Sequence, residues 1–126
     1  MTPPRLRGFL LAALIALPSA SIAQSMGRDQ WLDRMSTALP TAFCTPQSYF
    51  RQCFRVSARE CEDAAVSAAR ICLNRHANEI PTSMVMPRDG EHWGRIVGQC
   101  AGVATEGAML KQRISNAKCN DPAQWK

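Results

Sequence analysis

Six cysteines, two histidines and a close pair of methionines are the residues of this chain with the most chemistry in them. A cysteine can be a nucleophile, a metal ligand or half of a disulfide, and spacing decides between them. Cys44, Cys53, Cys61, Cys72, Cys100 and Cys119 contain no C-x-x-C pair for redox exchange and no C-x-x-C-H for haem attachment. Their number is even, and none lies in the first 43 residues, which begin like an export signal. A small exported chain with this pattern is read as a disulfide framework. Three disulfides leave no thiol for nucleophilic catalysis.

Six cysteines allow 15 pairings. Cys61 and Cys72 fall eleven residues apart on one predicted helix, about 16 Å along its axis. A disulfide requires Cα atoms within about 7 Å, so these two bond elsewhere. A hairpin of two helices suggests a nested scheme, Cys53–Cys61 at the turn and Cys44–Cys72 further out, with Cys100–Cys119 tethering the tail and letting Trp125 dock. The rival is Cys72–Cys100, across the next hairpin.

Met84-x-Met86 followed by His92 could offer two thioethers and an imidazole to Cu(I), a soft ion that suits such ligands. The plainer reading tucks the methionines under a loop into the core, and no metal centre or cofactor is assigned. Ser83, Asp89 and His92 could be drawn as a serine–histidine–acid set, but no nucleophile elbow or oxyanion loop surrounds them. His76 reads as a packed or capping residue. The chain lacks the adjacent His-Asp pair and glycine-rich calcium loop of small secreted phospholipases. No phosphate-binding or dinucleotide motif is present. No catalytic residue is assigned.

The elements that must position these residues are helical. Arg5 and Arg7 precede the apolar run Gly8–Leu17, Pro18 ends it, and Ser21-Ile22-Ala23 offers small residues for cleavage after Ala23. Ten apolar residues cannot span a bilayer, which needs roughly 20. Residues 1–23 are therefore read as a signal peptide and 24–126 as a single domain. The mature chain carries a net charge of about +3. Arg51, Arg55 and Arg59 are its nearest approach to a basic stripe, too little to indicate nucleic-acid binding.

Four helices are expected in the domain. The first covers Asp29–Leu39 and stops before Pro40. The second starts at Thr45-Pro46 and runs to Phe54. The third opens with the capping box Ser57/Glu60, preceded by Val56 as a staple, and runs to Glu79 with Cys61, Ala65, Ala68 and Cys72 inward. The fourth covers Glu91–Asn116, with Trp93, Ile96, Cys100, Val103, Gly107, Leu110 and Ile114 as its core stripe. No segment alternates with period two, so no substantial sheet is expected. The fold class is all-α: a small disulfide-stapled bundle of about four helices behind a cleavable signal.

The fourth helix also carries Gly94-x-x-x-Gly98-x-x-x-Gly102, with Thr105 on the same side. Each glycine costs about 1 kcal/mol in a helix interior, so the spacing demands a reason. One reading lays another helix of the domain across the glycines; the other makes them a docking surface. With Met84, Val85, Met86 and Arg88 in the preceding loop, Gly94, Gly98, Gly102 and Thr105 form the candidate partner-binding set.

The resulting functional reading is a periplasmic or secreted, non-enzymatic helical protein. It binds another macromolecule in the bacterial envelope, as an inhibitor or immunity protein or as an accessory factor of a secretion or envelope assembly. The partner is a protein, or a second copy of the chain, and not nucleic acid; the mature chain has no transmembrane span. Two alternatives stand beside it: a small-ligand or Cu(I)-binding periplasmic protein, and a secreted effector or small hydrolase. Mass spectrometry of the exported protein should find Gln24 as its first residue; an intact Met1–Ala23 segment would rule out cleavage.

Overall fold

The computed structural model describes residues 16–17 and 23–125. All of the expected signal except Ala16, Leu17 and Ala23 lies outside the described residues. The order is β1 (Gln24–Gly27), α1 (Arg28–Phe43), α2 (Tyr49–Gln52), α3 (Ala58–His76), β2 (Ser83–Met86) and α4 (Arg88–Ala108). Two 3-10 turns follow, Leu110–Gln112 and Pro122–Trp125. The fold is mostly helical, with three disulfides.

The third helix forms as its sequence dictates. Ser57 Oγ accepts from Glu60 N at 3.1 Å, and Glu60 Oε2 accepts from Ser57 N at 2.6 Å. Both capping-box bonds are made, and these bonds to Ser57 hold the Glu60 carboxyl below its ordinary pKa. Cys61, Ala65, Ala68 and Cys72 are buried, with Ala69 and Leu73 beside them.

Several helix boundaries differ from expectation, including the end of α3 at His76 rather than Glu79 and the start of α4 at Arg88 rather than Glu91. Helix α1 runs through Pro40 to Phe43. A proline inside a helix forfeits one hydrogen bond and costs about 3 kcal/mol. Here the extra turn buries Leu39 and Pro40, sets Phe43 against Phe50 with ring centroids 5.3 Å apart, and delivers Cys44 to its disulfide. Helix α2 is a single turn capped by Ser48, because Thr45 and Pro46 sit in a preceding turn in which Ser48 N donates to Thr45 O. Helix α4 ends at Ala108, not Asn116. The chain is drawn sideways instead: Arg55 N donates to Gln112 O, and Ile114 N donates to Cys53 O.

A small antiparallel sheet is present where none of substance was expected. β1 pairs with β2 in the register Gln24↔Met86 to Gly27↔Ser83. The methionine segment is thus a strand. Its alternation sends Met84 fully into the core and leaves Val85 exposed.

The disulfides are Cys44–Cys61, Cys53–Cys119 and Cys72–Cys100, with Cα separations of 5.8, 5.5 and 5.9 Å. The expected pairs Cys44–Cys72, Cys53–Cys61 and Cys100–Cys119 are all replaced, and the rival Cys72–Cys100 is formed. The nested scheme required a long helix α2 lying antiparallel to α3. With α2 cut to one turn, Cys44 lies opposite the first turn of α3, and Cys53 faces the returning tail. Cys61 and Cys72 point to different neighbours, as their spacing on one helix demands.

These bonds divide the interior into two clusters. The body cluster joins α1, α3, α4 and β2 through Trp31, Leu39, Ala69, Leu73, Ile80, Met84, Val97 and Ala101. The second builds a smaller lobe from α2 and the tail, through Phe50, Phe54, Met109 and the cystines at Cys53 and Cys61. Phe43 packs against both.

The core face of α4 is Val97, Ala101 and Thr105, rotated from the expected stripe. Val103 is 70% exposed and Leu110 61%, so neither faces the core. The glycines flank this face on the α1 side. A Cβ on Gly98 would meet Leu39 Cδ2 at 3.8 Å, and one on Gly102 would meet Phe43 Cζ at 3.9 Å. At Gly98 that is ordinary contact distance with room for one methyl. Gly98→Ala should therefore stabilise the protein by up to about 1 kcal/mol, while Gly98→Leu should cost about 1–3 kcal/mol by overpacking. Urea unfolding midpoints of the two variants check both signs.

Candidate functional site

The flank of α4 away from the glycines meets α3 in an open groove of about 560 Å³. Ile71 and Arg75 rise from α3, and Ile96, Gln99 and Val103 from α4, with Cys72 and Cys100 between them. Ile71 is 53% exposed. Ile71, Ile96 and Val103 thus line one groove from facing helices instead of standing singly on the surface. The disulfide between the two helices fixes the width of the groove. Arg75 reaches over it, with Nη1 3.7 Å from Cys100 Sγ. His76 closes one end and is half-buried; its Nδ1 lies 3.0 Å from Glu79 Oε2. The lining contains a guanidinium, an imidazole and an amide, and no carboxylate.

A second recess of about 360 Å³ lies where the tail crosses the small lobe. Tyr49 donates to Glu106 Oε1 at 3.0 Å, and Arg113 Nε lies 3.7 Å from the same oxygen. The Arg113 guanidinium also sits over the Tyr49 ring, donates through Nη2 to Cys119 O at 3.0 Å and bonds Ile114 O through Nη1. Burial pushes the Tyr49 phenol above its ordinary pKa, and the bond to Glu106 adds to this. Trp125 packs at 5.4 Å from Tyr49 and donates through Nε1 to Lys118 O. The tail tryptophan docks as expected, but the tether is Cys53–Cys119. Tyr49, Arg113 and Trp125 all make hydrogen bonds within the chain, which makes this set the clasp of the lobe.

The residues singled out from sequence scatter. Thr105 is fully buried, and its hydroxyl donates to Ala101 O at 2.7 Å. Gly98 and Gly102 face α1, whereas nothing approaches Gly94. Met84 is in the core, and Met86 packs against it from the same strand face. His92 is exposed, its ring edge-on to Trp93 at 5.1 Å. The three proposed copper ligands are therefore split between interior and surface. Asp89 accepts from Val85 N at 2.7 Å and from Arg88 Nε at 3.0 Å; the Arg88 bond, followed by the backbone bond, holds its carboxyl below the ordinary range. Asp89 thus caps the turn from β2 into α4, and Arg88 and Val85 stay exposed.

Among the described residues, no three His, Cys, Asp or Glu side chains group together as a metal site, and no helix is long and apolar enough to cross a membrane. Sequence reading missed the α3–α4 groove. Its only signal was Ile71 and Val103, apolar residues that fall outside the helical arcs buried in the body.

No curated protein and no solved structure matches the chain. A family model does match, over residues 25–113; its description is "NttA: T2SS substrate NttA". The match covers β1 to the Arg113 clasp and leaves out the tail that carries Cys119 and Trp125. The chain belongs to this NttA family of type II secretion system substrates.

Proposed function

We propose that this chain is a secreted, non-enzymatic protein that acts by binding another protein through the α3–α4 groove. The observation that carries the reading is the pair Ile71 and Val103, both more than half exposed, on either side of a cleft pinned by Cys72–Cys100. Membership in a family of type II secretion substrates fits an exported protein. The match begins at residue 25, just past the expected cleavage after Ala23, which supports the signal-peptide reading. Export through the oxidising periplasm would let the three disulfides close.

A rigid groove binds at low ordering cost, since its walls are already in place before the partner arrives. Its lining favours a partner segment with aliphatic side chains and a carboxylate to meet Arg75. A stable protein interface buries at least about 1,200 Å² in total. The groove would therefore be the centre of a contact that extends along the outer faces of both helices. The glycine face, turned toward α1, is better suited to holding the body together than to meeting a partner.

The test is affinity capture by the oxidised 24–126 protein from envelope extract and culture medium of its own organism. The comparison is with the double variant Ile71→Asp/Val103→Asp. Both positions are exposed, so folding should change by less than about 0.5 kcal/mol each. A stoichiometric partner bound by the wild type and weakened at least about 30-fold by the variant is expected. A partner held equally by both proteins would move the contact off the groove, and no partner from either source would end the binding reading.

A further inference from the structure

We propose that the small lobe is a docking surface for an anionic phospholipid bilayer. The first observation is a segregation of charge. The lobe, residues 45–57 and 109–125, holds Arg51, Arg55, Lys111, Arg113 and Lys118 against the single acid Asp121. The remaining described chain from residue 24, which is the three-helix body, carries seven basic residues and nine acidic ones. The whole positive excess of the folded protein is thus at one end. Arg113 is offset by Glu106 reaching over from α4. Among the described residues, Arg55, Lys111 and Lys118 are exposed and pair with no carboxylate; Lys118 donates instead to Gln52 Oε1 at 2.7 Å and lies 5.0 Å from the Trp125 ring centroid, keeping its charge at the surface.

The second observation is independent of charge. Leu110 is 61% exposed at the start of the 3-10 turn, next in the chain to Lys111. The same turn is fastened to Arg55 by the bond from Arg55 N to Gln112 O. An aliphatic side chain held out among cations is the arrangement that enters a headgroup layer while the cations meet phosphates. A nucleic acid would use the cations and leave Leu110 without a role. It would also need free aromatic faces to stack bases, whereas Tyr49 and Trp125 are packed on each other and half-buried. The surface is separate from the α3–α4 groove and shares no residue with it.

Each basic residue at an anionic membrane surface strengthens binding about fivefold, so Arg55, Lys111 and Lys118 together favour anionic vesicles about a hundredfold. The experiment is co-sedimentation of the oxidised 24–126 protein with phosphatidylcholine vesicles, with and without phosphatidylglycerol, at low and high salt. Binding should require phosphatidylglycerol and fall with salt. Arg55→Glu/Lys111→Glu should lower it at least tenfold, Leu110→Ser about tenfold, and Arg55→Lys should leave it unchanged. All three side chains are exposed, and circular dichroism confirms that each variant is folded. Failure to bind phosphatidylglycerol vesicles, equal binding to both vesicles, or full binding by the double reversal would each overturn the proposal. So would equal affinity for a single-stranded oligonucleotide combined with an unaffected Leu110→Ser, which would mark a general polyanion site.

Discussion

The bond between Cys53 and Cys119 holds the small lobe together, and much else depends on it. It joins positions 66 residues apart, and closing a loop of that size removes about 4 kcal/mol of unfolded-state freedom. Beside its small buried cluster of Phe50, Phe54 and Met109 and the Cys44–Cys61 bond, the lobe has only one turn of α2, two 3-10 turns and a short backbone pairing between Cys53–Arg55 and Gln112–Ile114. Single turns of helix are not stable alone, because nucleation costs more than one turn returns. The bond brings the tail across, and Arg113 then satisfies the carbonyls of Ile114 and Cys119 while covering Tyr49 and Phe54. The basic surface and the packing of Trp125 both follow from this one crossing.

The body rests on a different constraint, the closeness of its helices. Ala65, Ala68, Ala69 and Ala101 are buried at their contacts, and glycines occupy the α1 side of α4. Small residues bring axes together and convert backbone proximity into dispersion contact. Leu39, Leu73, Ile80, Met84 and Val97 fill what space remains inside. Ile71 and Val103 are displaced to the outer edge, where they line the groove. Burying alanine and exposing valine is a reversal of the usual order, and it follows from helices that approach too closely for further large side chains between them.

This reversal explains which parts of the structure were legible from sequence. The Ser57/Glu60 box, the buried face of α3 and the choice of helix over sheet all rest on local patterns, and they appear as read. The α4 stripe was assigned from hydrophobic spacing, which put Val103 and Leu110 in the core; a packing rule weighted by size would have placed Val97 and Ala101 inward. Pro40 was taken as a stop because the long-range contacts of Phe43 and Cys44, which outweigh its penalty, are invisible locally. The disulfides were inferred from the length of α2, so one misplaced helix boundary overturned all three pairs. The groove was not legible, because it is defined by two helices whose register only the fold supplies.

The order of the cysteines along the chain has a consequence for biogenesis. A chain threaded into an oxidising compartment from its N-terminus presents Cys44 and Cys53 before Cys61 has emerged. Joining cysteines in order of arrival would therefore give Cys44 to Cys53, yet the native partner of Cys44 is Cys61 and that of Cys53 is near the end of the chain. The native pattern needs either oxidation delayed until α3 has folded or thiolate exchange that reopens an early bond. For a chain that enters an oxidising compartment in this way, maturation would call on a disulfide isomerase, or on a folding step fast enough to outrun the oxidant.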